Sequence, residues 1–246
     1  MATRDPSDRR RPHEDVPTAP RRAAGSIRLD VVATEAADFQ VRVFVDDVEM
    51  TSRGAGLGMP PSKLFVPENR LVATAESRVV PIARCTCGVY GCGVTDVRIQ
   101  REDDVVHWDW IGQTPTGHGA TFSAARYDAE VARAGADHAW ERPTDTAERL
   151  ILTGTDRTRL ADEGVKLRFA ELVFDDPSTY RVVLQTTDNR YHVILHFPLR
   201  GRSPVDAVDE VLETLGAPPA SWSATFHPSR RDVTGPPAMA GENWHR

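Results

Sequence analysis

The sequence lacks the long apolar segments of membrane proteins. Among its 246 residues, no apolar run approaches the roughly 18 residues of a spanning helix. The first residues, MATRDPSDRRRPHEDV, also lack the apolar core of a secretory signal peptide. We therefore expect a cytoplasmic protein without a membrane partner.

Clustered basic residues and familiar catalytic motifs are also missing from the central part of the chain. The 30 Lys and Arg residues are outnumbered by 36 Asp and Glu, which gives a formal net charge of -6. Nucleic-acid surfaces depend on clustered Lys and Arg, so we expect no nucleic-acid partner. The sequence has no Gly-x-Ser-x-Gly elbow, Walker loop or His-Glu-x-x-His motif. These absences favour a non-enzymatic binding protein that interacts with an unknown protein partner.

The hydrophobic patterns predict an α+β fold of largely antiparallel sheets and a few packed helices, in two packed parts. Apolar residues alternate along residues 39–45, as in a half-buried strand, whereas helical spacing follows Ser123. The predicted segments are a disordered tail at residues 1–25, a β-rich part with the cysteines at 26–120, a helical connector at 121–163, an antiparallel meander plus helix at 164–227 and a second disordered tail at 228–246.

All three cysteines lie in one short segment, RCTCGVYGCG, between two strand-like runs. If residues 88–91 form a four-residue loop, Cys87 faces Cys92, and Cys85 lies on the same face of the sheet. Three sulfurs on one face suit ligation of zinc by thiolates. A tetrahedral structural zinc needs a fourth ligand. We predict His118 for this role, because its glycine-rich loop at residues 116–119 can fold back toward the hairpin.

Three other interpretations of the cysteine hairpin stay open. Cys87 and Cys92 could form a cross-strand disulfide that leaves one thiol over. The three cysteines could instead pack as small, reduced, apolar side chains in a reducing cytoplasm. One of them could also be a reactive thiol of a redox sensor, with Arg84 as the nearby cation.

An enzyme of unknown class is the alternative from a different functional class. Trp108 and Trp110 share one face of a predicted strand, which we expect to lie in the core. His107 and Asp109 share the other face of that strand. Together with His118, they could form a site between the two halves of the chain.

The cysteine segment also carries a family resemblance. Its pattern, Cys-x-Cys-Gly-x-x-Gly-Cys, is followed by Val-His-Trp at residues 106–108 and by FSAARY at residues 122–127. This combination resembles an uncharacterised family of bacterial cytoplasmic proteins. The resemblance covers about residues 64 to 141. It implies a shared fold and brings no known activity, so it assigns no catalytic residue.

Overall fold

The structure, a computed structural model, describes residues 19–35, 38–87 and 92–246. The chain divides between Trp140 and Glu141 into two compact units. Both units combine mostly antiparallel sheets with helices, which confirms the predicted α+β fold. Within the described ranges, no helix is long and apolar enough to cross a membrane.

The first unit contains one six-stranded sheet, one three-stranded sheet and three helices within its described part. Its elements are β1 (Arg21–Ala23), β2 (Ile27–Ala33), β3 (Phe39–Val45), β4 (Val48–Glu49), α1 (Met50–Arg53), β5 (Gly56–Gly58), α2 (Pro61–Phe65), β6 (Arg78–Cys85), β7 (Val94–Glu102), β8 (Val105–Gly112), β9 (Gly119–Ser123) and α3 (Ala124–Ala136). The larger sheet has the order β1-β9-β8-β7-β6-β5, and β2, β3 and β4 form the smaller one. Only β1 and β9 pair in parallel among these strands.

Aromatic side chains fill the core of the first unit around β8. Trp108 is fully buried and contacts Phe122 and Tyr127 edge-to-face, at ring-centroid distances of 5.6 and 5.9 Å. The Tyr127 hydroxyl donates a hydrogen bond to the Leu71 carbonyl at 2.6 Å and accepts one from Trp108 Nε1 at 3.2 Å. Trp110 is also buried, which confirms that both tryptophans belong to the core.

The second unit contains a five-stranded sheet with the remaining three α-helices of the described chain. Its elements are α4 (Pro143–Gly154), α5 (Arg157–Asp162), β10 (Val165–Val173), β11 (Asp176–Thr186), β12 (Tyr191–Pro198), α6 (Val208–Gly216), β13 (Ala224–Pro228) and β14 (Trp244–His245), with short 3-10 helices at Pro204–Ala207 and Pro219–Ser221. The strands follow one another in chain order across the sheet. The predicted connector at residues 121–163 is thus divided, because α3 belongs to the first unit and α4 and α5 to the second.

The hairpin of β11 and β12 determines which side chains of the second sheet face solvent. A tight turn at Asp188 and Asn189 connects the two strands, and Asn189 adopts a positive φ of 58°. Along β12, Val193 and Leu195 are buried, whereas the intervening side chains point away from the core. One face of this sheet therefore carries the core, and the other exposes polar residues.

The N-terminal segment is more ordered than its composition suggests. We predicted a disordered tail at residues 1–25, but Arg21–Ala23 pairs in parallel with β9. The Arg21 guanidinium also donates two hydrogen bonds to the Asp109 carboxylate, at 2.8 and 2.9 Å. Residues 1–18 lie outside the described residues. The prediction fails near residue 21 because this strand is held by backbone pairing and an ion pair, which leave no apolar pattern in the sequence.

The C-terminal segment also differs from the predicted disordered tail at residues 228–246. Trp244 is buried and stacks on Trp222, with ring centroids 6.3 Å apart and planes at 7°. Its Nε1 donates a hydrogen bond to the Pro219 carbonyl at 3.0 Å. One tryptophan packed into the second unit thus anchors a segment whose Pro and Gly content predicted disorder.

Candidate metal site

The cysteines lie at the end of the hairpin formed by β6 and β7. Cys85 is the last residue of β6, and its N–H donates a hydrogen bond to the Gly93 carbonyl at 2.9 Å. Thr86 and Cys87 lie in a turn beyond the strand, and Cys92 lies in a turn before Gly93. Residues 88–91 of the predicted loop are outside the described residues.

The register of this hairpin differs from the predicted one. We expected a four-residue loop with Cys87 directly opposite Cys92. Instead, Arg84 pairs with Val94, and the ladder ends at the hydrogen bond between Cys85 and Gly93. Cys87 and Cys92 therefore lie outside the two strands, and they are not the directly opposed pair that was expected. Sequence patterns do not show where a glycine-rich hairpin stops pairing.

The three sulfurs nevertheless converge, as the sequence predicted. The Sγ atoms of Cys85, Cys87 and Cys92 all lie within 4.8 Å of one another. Zn–S bonds of about 2.3 Å place two tetrahedral sulfurs about 3.8 Å apart. The sulfurs therefore need to approach by no more than about 1 Å to share one ion. This separation can hold a metal ion.

All three cysteines are free thiols rather than a disulfide and a thiol. Cys85 is partly exposed, whereas Cys87 and Cys92 are exposed. They therefore do not form the packed, apolar cluster that was one of the alternatives. Exposed sulfurs at the end of a hairpin are accessible to an ion from solvent.

Hydrogen bonds among the cysteines shift the pKa values of Cys85 and Cys92 in opposite directions. The backbone N–H of Cys87, followed by the side chains of Cys87 and Cys92, stabilises the Cys85 thiolate and lowers the pKa of Cys85. Hydrogen bonds with Cys85 and Cys87, together with their negative charges, raise the pKa of Cys92 to about 11. A bound cation would remove this repulsion, so metal binding and loss of the thiol protons are coupled.

Glycines on both sides give the hairpin its close packing. Gly56 of β5 pairs with Cys85 and has a φ of 107°, where a side chain would be strained. A Cβ there would lie 2.8 Å from Cγ2 of Thr86. On the other side, a Cβ at Gly93 would lie 2.9 Å from Nε2 of Gln113. The Gln113 amide therefore lies beside the cysteine segment, at the position where the strand pattern predicts residue 113.

His118, the predicted fourth ligand, does not join the cysteines. Within the part of the chain that the structure describes, the three cysteines form the metal-binding group without His118. His118 Nδ1 lies 3.2 Å from the Gly119 carbonyl oxygen, and the His118 carbonyl accepts a hydrogen bond from Trp110 Nε1 at 3.0 Å. These contacts hold the loop beside β8, so it does not fold back to the hairpin.

The polar residues of the alternative enzyme site have structural partners. His107 Nδ1 lies 2.9 Å from the Thr121 hydroxyl, and its Nε2 lies 3.4 Å from a Glu102 carboxylate oxygen. The Asp109 carboxylate is 8% exposed and binds Arg21 through both oxygens. The His107 contacts connect β8 to its two neighbours, β9 and β7, whereas the Arg21–Asp109 pair reaches from β1 across β9 to β8.

A cavity of about 320 Å³ lies in the second unit, and its lining includes none of the predicted site residues. It is formed by the turn between β11 and β12 and by the C-terminal segment, and its lining includes Thr186, Asp188 and Met239. Thr186 and Asp188 hydrogen-bond to each other at 2.5 Å, which stabilises the turn. The cavity contains no residue of the cysteine hairpin.

Comparison with known proteins finds no family model, curated protein or solved structure that matches the chain. The resemblance to a family of bacterial proteins therefore stays a prediction.

Proposed function

We propose that this protein binds zinc through the thiolates of Cys85, Cys87 and Cys92 and acts as a non-enzymatic interaction protein in the cytoplasm. The convergence of three Sγ atoms within 4.8 Å is the observation that supports this function. Thiolates are soft ligands that select zinc over magnesium or calcium. A reducing compartment favours this function because it keeps the three thiols free.

The charge of the site favours a structural or binding role over catalysis. Three thiolates around a divalent ion leave the site with one net negative charge, which weakens the ion as a Lewis acid. A catalytic zinc also needs an enclosed cavity, whereas Cys87 and Cys92 are exposed. The fourth position is therefore better suited to water or to a donor from a protein partner.

Zinc would link the three cysteines of this hairpin to one another. The last described backbone pair is the hydrogen bond between Cys85 and Gly93, so the ion would hold Cys87 and Cys92 beyond that pair. A zinc ion with three thiolates and one open coordination position is a small docking point. We propose that an unknown protein partner recognises it.

Native mass spectrometry of the reduced full-length chain tests the zinc site. We expect an excess mass of one zinc per chain, which disappears in the denatured protein. Cys87→Ser should lose this excess, whereas the neighbouring control Thr86→Ser should keep it. Co²⁺ substitution gives an independent readout, since thiolate-to-cobalt absorption should fall in the Cys87 variant alone. A metal-free native chain after incubation with zinc would overturn the proposal.

The proximity of the thiols also supports a second candidate, a thiol-based redox sensor. Peroxide would oxidise one thiol to a sulfenic acid and release water, and a second thiol would then form a disulfide and release another water. Peroxide treatment of the metal-free chain, followed by a thiol count and peptide mapping, tests this function. Reversible loss of two thiols at low peroxide would favour the sensor. Three thiols retained would exclude it.

A further inference from the structure

The second unit exposes histidines on the open face of its five-stranded sheet. His192 lies on β12 and His227 lies on β13, and the two residues are direct partners across the antiparallel ladder. Both are exposed, whereas Val193 and Phe226, their chain neighbours, are buried. The two imidazoles therefore project from the same side of the sheet, away from the core.

The register brings the two imidazoles within reach of one ion. Directly opposite residues on antiparallel strands have Cβ atoms about 4.5–5.5 Å apart. Two rings on such a pair can rotate about their side-chain bonds until one nitrogen of each ring faces a common point. In residues 19–35, 38–87 and 92–246, neither ring has a hydrogen-bond or ion-pair partner. Both rings can thus turn toward a ligand without breaking a contact in that part of the protein.

We propose that His192 and His227 form a surface site for a divalent transition metal, with water in the remaining coordination positions. Neutral imidazole suits Cu²⁺, Ni²⁺ and Zn²⁺, and Cu²⁺ binds most tightly in that series. The backbone pairing of β12 and β13 holds the two donors at a fixed distance. The second nitrogen therefore binds at a high effective concentration once the first is ligated.

A third histidine on β12 shows what distinguishes this pair. His196 is exposed and points to the same side as His192, four residues along the strand. Its partner across the ladder is Arg181, whose guanidinium binds the Glu171 carboxylate at 2.9 Å. His196 thus faces an arginine that donates no metal ligand, where His192 faces a second imidazole, so His196 is a matched control for the proposed site.

Calorimetric titration with Ni²⁺ tests the site in the full-length chain. Cys85, Cys87 and Cys92 are first replaced with Ser, so that heat from the thiolate site is removed. We expect one Ni²⁺ per chain, with an affinity at least about tenfold lower in His192→Asn and in His227→Asn. His196→Asn should bind within about twofold of its parent. Equal losses in all three variants, or no binding by the parent, would overturn the proposal.

Paramagnetic broadening in the chain with intact cysteines gives a second measurement if the Ser variant fails to fold. Ni²⁺ added to the protein that holds one zinc per chain should broaden amide signals around His192 and His227 first. His227→Asn should abolish this broadening, whereas His196→Asn should retain it. Broadening confined to the cysteine hairpin, or spread evenly over all exposed histidines, would contradict the site.

Discussion

The hydroxyl of Tyr127 connects two buried groups in the first unit, and its removal should lower the free energy of unfolding by an amount that can be calculated. The hydroxyl donates to the Leu71 carbonyl and accepts from Trp108 Nε1, while the ring packs against Phe122. Tyr127→Phe keeps the ring and removes both hydrogen bonds. Leaving a buried donor or acceptor without its partner costs about 1–3 kcal/mol. With two such groups affected, we expect the free energy of unfolding to fall by about 2–6 kcal/mol.

Urea unfolding measures this loss, and Tyr180→Phe is the matched control. Tyr180 is also fully buried, but its hydroxyl has a long hydrogen bond of 3.4 Å to the Thr144 carbonyl. We expect that substitution to cost less than about 1 kcal/mol. Hydrogen exchange of peptides from β8 and α3 assigns the larger loss to the first unit. A loss in Tyr127→Phe no greater than in the control would refute the reasoning.

The same substitution changes the response to alkaline pH. Burial raises the pKa of Tyr127 well above its ordinary value of 10.0. Because the folded state binds this proton more tightly than the unfolded state, the stabilisation is complete below pH 10 and is lost as the pH rises above it. Between pH 10 and 11, Tyr127→Phe should therefore lose less stability than the natural chain does.

Three further predictions test the ends of the chain and the metal site. Cys87→Ser should lower the melting temperature in zinc buffer, because zinc stabilises only the folded hairpin. The same variant should no longer be destabilised by a chelator. A chelator response equal to that of the parent would contradict the site. Arg21→Ala should reduce stability in urea by about 1–3 kcal/mol, because it removes both hydrogen bonds to the Asp109 carboxylate. Arg21→Lys should restore only part of this loss, since it cannot pair through two parallel bonds. Trp244→Ala should destabilise the second unit by about 3 kcal/mol through lost packing on Trp222, and an unchanged melting curve would show that the C-terminal segment adds no stability.

The sequence predicted those strands and helices that are determined by neighbouring residues rather than by distant parts of the chain. The alternation at residues 39–45 matches β3, and α3 begins directly after Ser123. The convergence of the cysteines was predicted because all three lie in one hairpin. Their register was not, since the loop length depends on where pairing ends near Cys85 and not on residue type alone.

The contacts that the sequence did not predict join residues that are far apart in the chain. Arg21 meets Asp109 only because β1 pairs with the distant strand β9. His118 was predicted as a ligand from the flexibility of its loop, but its hydrogen bond with Trp110 keeps that loop beside β8. The pairing of His192 with His227 likewise depends on β13 joining the sheet after α6. Neither composition nor periodicity records such partners.

The two proposed metal sites lie in different compact units and use different donors, so they should fill in a defined order. The hairpin offers three anionic sulfurs, whereas the histidine pair offers two neutral nitrogens. Zinc should therefore saturate the thiolates first and bind to His192 and His227 at higher concentration. Calorimetry of the reduced full-length chain should show two steps, with Cys87→Ser losing the first and His227→Asn losing the second. Loss of both steps in either variant would show that the sites are not independent.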